Sequence, residues 1–241
     1  MEAVDLRAER GCPSLVWRAG QERRWRLARR WADPTGGRTL DVGCGVGMYT
    51  AAFRQEAGRA YGIEVEMERA REAAGRASGV AQAVGERLPF ADGAFDVVFS
   101  HEVLEHTDDD RRSAVEMARV TRTGGRIVIF VPNRFYPFET HGIFWRGRYR
   151  FGNIPLVNYL PDRLRRRLAP HVRAYTARAL RRLFADLPVR VVYHTCIFPG
   201  YDKLAARSRV LAWLLRGLTY ALEKTPLRAV GLSHFLVLER A

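Results

Sequence analysis

A chain of 241 residues with 47% hydrophobic residues is long enough to bury a sizeable core and suits one α/β domain with additions. Its formal charge of +14 invites nucleic acid or an anionic membrane surface as partner, yet only Lys203 and Lys224 of the 40 basic residues are lysine. A GC-rich genome produces the same arginine bias, so the charge alone assigns no partner; the absence of any run of about 18 apolar residues argues against a spanning helix.

Taken in order, Met1 to Arg10 is charged and has no apolar core, so no leader is expected and a cytoplasmic site is. Cys12, Cys44 and Cys196 lie far apart and predict reduced thiols, with neither a disulfide framework nor a CxxC metal site. Residues 14–32 read as an amphipathic helix, with Leu15, Trp17, Trp25, Leu27, Ala28 and Trp31 set among arginines. Asp33-Pro34-Thr35-Gly36-Gly37 ends it with turn chemistry.

A first strand over 38–42 then runs into Asp41-Val42-Gly43-Cys44-Gly45-Val46-Gly47 and a helix over 47–57. Glycines at alternate positions permit positive φ and let a ligand approach the backbone, while the helix start offers free N–H groups. The spacing D-x-G-x-G-x-G differs from the dinucleotide fingerprint G-x-G-x-x-G. Residues 60–64 are a second strand ending on Glu64, 17 residues after Gly47. A carboxylate at the tip of the neighbouring parallel strand can accept both hydroxyls of a ribose.

A helix over 66–77 and a third strand over 79–84 follow, then Gly85-Glu86-Arg87-Leu88-Pro89-Phe90. The apolar run Phe95 to Ser100 is a central parallel strand that ends in His101-Glu102-Val103-Leu104-Glu105-His106. Asp108 to Val120 forms the next helix, and Thr123-Gly124-Gly125 turns into a fifth strand over 126–131. A segment rich in aromatics, prolines and arginines occupies 132–175, with Glu139 and His141 near its start. Helix 175–185, strand 189–197, a long amphipathic helix over 203–222 and strand 235–238 complete the chain.

The glycine run, Glu64, the pattern "E-x-L-P-F … F-D-V-V" and the helix–turn–strand "R-V-T-R-T-G-G-R-I-V-I" resemble the class I S-adenosylmethionine-dependent methyltransferases over roughly 36–132. The segment "E-V-L-E-H" is similar to members that methylate quinones and other small acceptors. The resemblance implies a Rossmann-like, doubly wound α/β sheet of seven strands, mostly parallel with an antiparallel last strand, and helical insertions after strands 5 and 6. It implies one domain: an N-terminal helix over 1–35 that covers the cofactor, a binding core over 36–131, an acceptor or lid insertion over 132–175, and a C-terminal part over 176–241. A helix packed on the sheet with a basic outer face is the other reading of the N-terminal segment.

For cofactor contacts the resemblance points to Asp41, Gly43, Cys44, Gly45 and Gly47 around the methionine part, and to Glu64 and Val65 at the ribose. The adenine falls to Gly85, Glu86 and Leu88, with Val84 where an acid usually stands. His101 falls near the transferring methyl, and His106 and His141 join it as candidate bases because imidazole changes charge near neutrality. For each of them a purely structural role is the competing reading. No metal is expected: H-E-x-x-x-H is one residue longer than the zinc-protease pair H-E-x-x-H, and no third ligand is evident.

The expected reaction is methyl transfer to oxygen or carbon of a small acceptor, apolar or lipid-linked to suit the aromatic insertion. Helix 203–222, with Trp213 and leucines bordered by arginines, suits peripheral contact with the inner face of a membrane, or equally packing on the domain or a partner. An RNA methyltransferase is the charge-motivated alternative, against which stands the lack of an appended RNA-binding module. A catalytically silent cofactor-binding protein is the third reading.

Overall fold

The computed structural model describes residues 17–241; the readings placed on Met1 to Arg10, Cys12 and Leu15 lie outside the described residues. Two patterns in the sequence account for the fold: short β-rich runs apolar on both faces, and helices with one apolar stripe between them. The elements are α1 (Ala19–Trp31), β1 (Arg38–Val42), α2 (Met48–Ala57), β2 (Arg59–Glu64), α3 (Met67–Ala74), β3 (Gly79–Gln82), β4 (Phe95–His101), α4 (Asp110–Val120) and β5 (Thr121–Pro132). The C-terminal part adds α6 (Ala177–Arg182), β10 (Val189–Ile197), α7 (Asp202–Ala205), α8 (Arg209–Leu222) and β11 (Ser233–Arg240).

Seven strands form one sheet in the order β10-β11-β5-β4-β1-β2-β3. β1 lies parallel between β2 and β4, and β11 runs antiparallel to both β5 and β10. The expected α/β sheet with its antiparallel last strand is therefore the one observed. Alternate residues of each central strand feed opposite faces. Leu40, Val98, Ile127, Ile129 and Leu236 pack with Met117 of α4 on one face. Phe99, Phe130 and Phe235 pack with Trp25 of α1 and Phe53 of α2 on the other. Both faces are covered, as a mainly parallel sheet requires.

The chain winds outward from β1 through β2 to β3, then returns to β4 on the other side of β1. Strand order reverses between β1 and β4, and a crevice opens there beyond the carboxyl ends.

Two details depart from the sequence reading. The insertion after β5 is not purely helical: β6 (Phe138–Glu139) pairs with β9 (Ile154–Pro155), and β7 (Ile143–Trp145) with β8 (Arg148–Arg150), ahead of the short helix α5 (Asp162–Leu168). The β7–β8 turn places Arg146 and Gly147 at φ 50° and 76°, the double left-handed geometry of a tight hairpin. The insertion has its own small core of Ile143, Val157, Ala169 and Val172. Second, the helix expected over 203–222 is broken into α7 and α8. Ser208 caps α8 by accepting a hydrogen bond from Leu211 N at 3.3 Å, and a serine in that role competes with helix continuation.

Candidate active site

The crevice is a cleft of about 1120 Å³ floored by the β1–α2 turn. Gly43, Gly45 and Gly47 all adopt positive φ, at 71°, 55° and 83°. At Gly43 a Cβ would meet Val103 Cγ2 at 2.4 Å, and at Gly47 it would meet Ala73 at 3.1 Å. The turn is therefore bare backbone by necessity, with Gly47 as the left-handed N-cap of α2.

Glu64, at the tip of β2, is buried beside this turn. Its Oε2 accepts from Gly45 N at 2.8 Å, and its Oε1 from Val65 N and Glu66 N at 2.9 and 3.1 Å. Three N–H donors lock the carboxylate to the two strand tips; Oε1 is filled by two of them, and Oε2, with one, keeps a lone pair for a hydroxyl. Asp41 is buried beneath and accepts from Thr50 Oγ1 at 2.6 Å. Burial first, and the Glu64 charge second, raise its pKa to about 7, so near neutrality the strut is shared between its protonated and ionised forms. Cys44 points into space that only Gly62 leaves open, since a Cβ there would meet Cys44 Sγ at 2.6 Å. Burial pushes its thiol pKa up, so it stays protonated.

The opposite wall starts at the tip of β4. His101 lies 5.0 Å from Tyr49 between ring centroids, and its Nε2 is buried without a hydrogen-bond partner. Burial lowers its pKa to about 3, which makes it a neutral ring and a poor general base near neutrality. Glu102 follows with φ 57°, a strained backbone for a residue with a side chain, at the cleft wall. Its Oε1 accepts from Ser233 Oγ at 3.1 Å, and its Oε2 lies 3.8 Å from His141 Nε2. Glu105 is 1% exposed; neither carboxyl oxygen has a partner at full hydrogen-bond geometry, and the group that faces it is the carboxyl of Glu102. An unsatisfied buried group of this kind costs roughly 1–3 kcal/mol. Burial and the adjacent Glu102 charge raise its pKa well above the ordinary carboxylate range.

The insertion brings His141 to this wall. Its ring centroid is 5.2 Å from that of His106, so the two histidines 35 positions apart meet. Glu139, itself buried, accepts from His141 N at 3.0 Å and approaches His141 Nδ1 at 3.2 Å. With Nδ1 as donor, Nε2 keeps its lone pair. Burial alone would raise the Glu139 pKa, but the His141 hydrogen bonds and the Arg165 charge outweigh it and hold the group down at about 2. Arg165 is buried too and bonds Glu139 Oε2 at 2.5 Å, Val172 O at 2.9 Å and Asn158 Oδ1 at 3.1 Å. It ties the insertion's core to the histidine. His106 Nδ1 lies 3.2 Å from His171 O, and desolvation by surrounding protein lowers its pKa despite access to the cleft.

The other expected contacts fall on two sides. Val65, Gly85 and Glu86 line the cleft, as do Asp41, Gly43, Cys44, Gly45, Glu64, His101, His106 and His141. Exposed Val65 and Val84 offer apolar surface of the kind an aromatic base packs on. The Glu86 carboxylate accepts from Asp108 N and Asp109 N at 2.8 and 3.2 Å, which leaves its backbone for a ligand. Leu88 does not line the cleft: it is buried in the core with Phe95 and Met117, because the loop returns to the sheet there. Gly47 acts through the helix cap instead of a cleft surface. α1 packs on the sheet through Trp25 and Ala28, while its Gly20, Gln21 and Arg24 line the cleft. Glu102, Glu105 and Glu139 join the site without a role expected from the sequence; the recurrence E-x-x-E-H at a strand tip is the signal for the first two.

Residues 40–129 match the family model described as "Methyltransferase domain". An uncharacterized methyltransferase of Mycobacterium sp. (strain JLS) is 42% identical over 112 residues, 44% of this chain and 43% of the relative. The chain thus matches under half the length of that curated relative. Among solved structures, an S-adenosylmethionine-dependent methyltransferase from Mesorhizobium loti aligns at 15% identity with TM-score 0.64, covering 92% of this chain and 98% of that one. Geranyl diphosphate C-methyltransferase from Streptomyces coelicolor, solved with Mg2+, geranyl diphosphate and S-adenosylhomocysteine, aligns at 17% identity and TM-score 0.62, covering 92% and 79%. At such identities the two structures share the fold with this chain.

Proposed function

Taking as premise that residues 40–129 belong to the class I S-adenosylmethionine-dependent methyltransferases, we propose that this chain transfers a methyl group from that cofactor to an oxygen or carbon nucleophile of a small acceptor. The observation that carries the proposal is one juxtaposition. A glycine turn stripped of Cβ atoms and a locked carboxylate at the next strand tip share a cleft with His101, His106 and His141.

The cofactor fits this cradle on chemical grounds. Gly43 and Gly45 would take the methionine part against bare backbone, Glu64 the ribose hydroxyls, and Val65, Val84 and the Gly85 and Glu86 backbone the adenine. When bound, the cofactor supplies an electrophilic methyl on a sulfonium. What the chain contributes is alignment and exclusion of water, the terms that dominate a displacement whose leaving group is already activated. α1 closes one rim through Gly20 and Gln21, and the insertion closes the other through Arg165 and His171. We read that insertion as acceptor pocket and lid. His101 acts as a positioning and desolvating ring, and His141, whose Nδ1 is turned to Glu139, keeps a lone pair on Nε2.

Peripheral membrane contact belongs to the same proposal. α8 packs through Ala212 and Thr219 and turns Val210, Trp213, Leu214 and Leu218 outward, Trp213 being 71% exposed. Among the described residues no helix is long and apolar enough to cross a membrane, so contact would be interfacial. An acceptor dissolved in or tethered to the bilayer would then reach the cleft from that surface.

The test of the main reading is a melting experiment. S-adenosylhomocysteine at saturation should raise the melting temperature, NAD should not, and Gly45→Arg should lose the response. No shift in the parent chain would count decisively against it.

A further inference from the structure

By sequence alone neither the cysteines nor the pair His101 and His106 has metal-ligand spacing. The fold separates the roles of those two and supplies a different partner. One ligand atom from each of Glu105, His106 and His141 lies within 4.8 Å of the others. Three features mark this cluster as a built site. The Glu105 carboxyl is 1% exposed on the wall of the cleft, and neither oxygen has a partner at full hydrogen-bond geometry beside the facing Glu102 carboxyl. His141 is oriented by the buried carboxylate of Glu139, which approaches Nδ1 at 3.2 Å and leaves Nε2 as the electron-pair donor. That carboxylate is itself held by Arg165 at 2.5 Å, the outer-shell arrangement that metal-binding histidines use. Glu102 adds a carboxylate oxygen 3.8 Å from His141 Nε2.

We propose that Glu105, His106 and His141, with Glu102 in reach as a fourth ligand, form a binding site for one divalent transition-metal cation facing the cleft. Two imidazoles and a carboxylate suit Zn2+ and its neighbours better than Mg2+, which favours all-oxygen shells. The buried Glu105 oxygens and the Glu102 carboxyl that faces them are both accounted for by a cation between them. The site sits at the tips of β4 and of the insertion, while the glycine turn sits at the tip of β1, so the two share one cleft and divide its floor. Resting on the methyl-transfer reading, this narrows the acceptor to one that presents a hydroxyl. Its oxygen would complete the cation's coordination. The O–H bond then ionises more readily, with the electron pair staying on oxygen and the proton passing to water in the cleft.

The experiment uses the full chain stripped of metal with a chelator, then dialysed against Zn2+ and assayed for bound metal, with Co2+ absorption as a second probe. One equivalent per chain is expected. Glu105→Gln and His141→Ala should abolish stoichiometric binding, and Glu139→Gln should weaken it by about 10- to 100-fold through the orienting hydrogen bond. Melting curves recorded without metal confirm that each variant is folded. Cys196→Ser is the control, since Cys196 Sγ lies 3.2 Å from His234 Nδ1 in a separate cluster on β10 and β11. Binding should survive it. Absence of a stoichiometric ion in the parent chain overturns the proposal, as does binding that Cys196→Ser abolishes or that Glu105→Gln and His141→Ala leave intact. The S-adenosylhomocysteine melting shift is measured on the same stripped protein: a shift without metal binding refutes the metal site alone, and metal binding without a shift refutes the cofactor reading alone.

Discussion

Replacing Gly43 by alanine places a methyl group 2.4 Å from Val103 Cγ2 and 3.0 Å from its Cγ1, at a residue with φ 71°. Two costs follow. Holding a residue with a Cβ in the left-handed region costs about 1–2 kcal/mol. Forcing the methyl into a packed neighbour adds about 1–3 kcal/mol. The sum, about 2–5 kcal/mol, is a large share of the 5–15 kcal/mol typical of a folded domain. For a chain of this size each kcal/mol moves the melting temperature by about 2–4 °C, so a fall of at least about 4 °C is expected. The two costs separate in a double-mutant cycle. Val103→Ala removes both clashing methyls and leaves only its Cβ at 3.3 Å, so the Gly43→Ala penalty measured in that background should shrink toward the backbone part. Calorimetric melting of the four proteins gives the coupling. A Gly43→Ala protein that melts with the parent, or a penalty unchanged by Val103→Ala, would refute the tight turn on which the cofactor reading rests.

The remaining predictions concern charge and surface. Glu64→Gln should weaken S-adenosylhomocysteine binding about 10- to 100-fold by calorimetric titration, because a charged acceptor is lost. Asp41 has its folded pKa raised to about 7 from an ordinary 3.8. Its contribution is therefore complete below pH 4 and is lost as the pH rises through 7, by up to about 4 kcal/mol. Denaturant titrations should show Asp41→Asn removing that part of the decline between pH 4 and 8; an unchanged profile contradicts the assignment. Leu211→Glu and Trp213→Glu, both on exposed positions of α8, should abolish co-sedimentation with anionic liposomes and leave the melting temperature within about 1 °C. Retained sedimentation would remove the membrane contact from the account.

The sheet was legible because its signals are local. Leu40 and Val42 before a glycine turn, the continuous apolar run of β4 and an acid ending β2 each declare themselves within ten residues. The place of Glu64 beside the glycine turn followed from that register, since the tips of β1 and β2 are neighbours by pairing, Val42 against Ile63. The histidine cluster was less legible. His106 and His141 meet only because β6 carries His141 back against the β4 tip, and Arg165 in α5 fixes Glu139 beneath it. Tertiary contacts of that kind leave no spacing signature. Leu88 failed for a related reason: an apolar residue in a loop reads the same whether it walls a ligand or plugs the core. The α7–α8 break was in plain view as Ser208, but the apolar periodicity through 203–222 masked its capping role.

The most direct measurement is a crystal structure of the chain with S-adenosylhomocysteine. The account predicts the ribose hydroxyls on the Glu64 carboxylate, the amino-acid part along Gly43 and Gly45, and the sulfur directed toward the wall formed by His101 and His141. A ligand lodged elsewhere in the cleft, with Glu64 bonded only to the amides of Gly45, Val65 and Glu66, would contradict it.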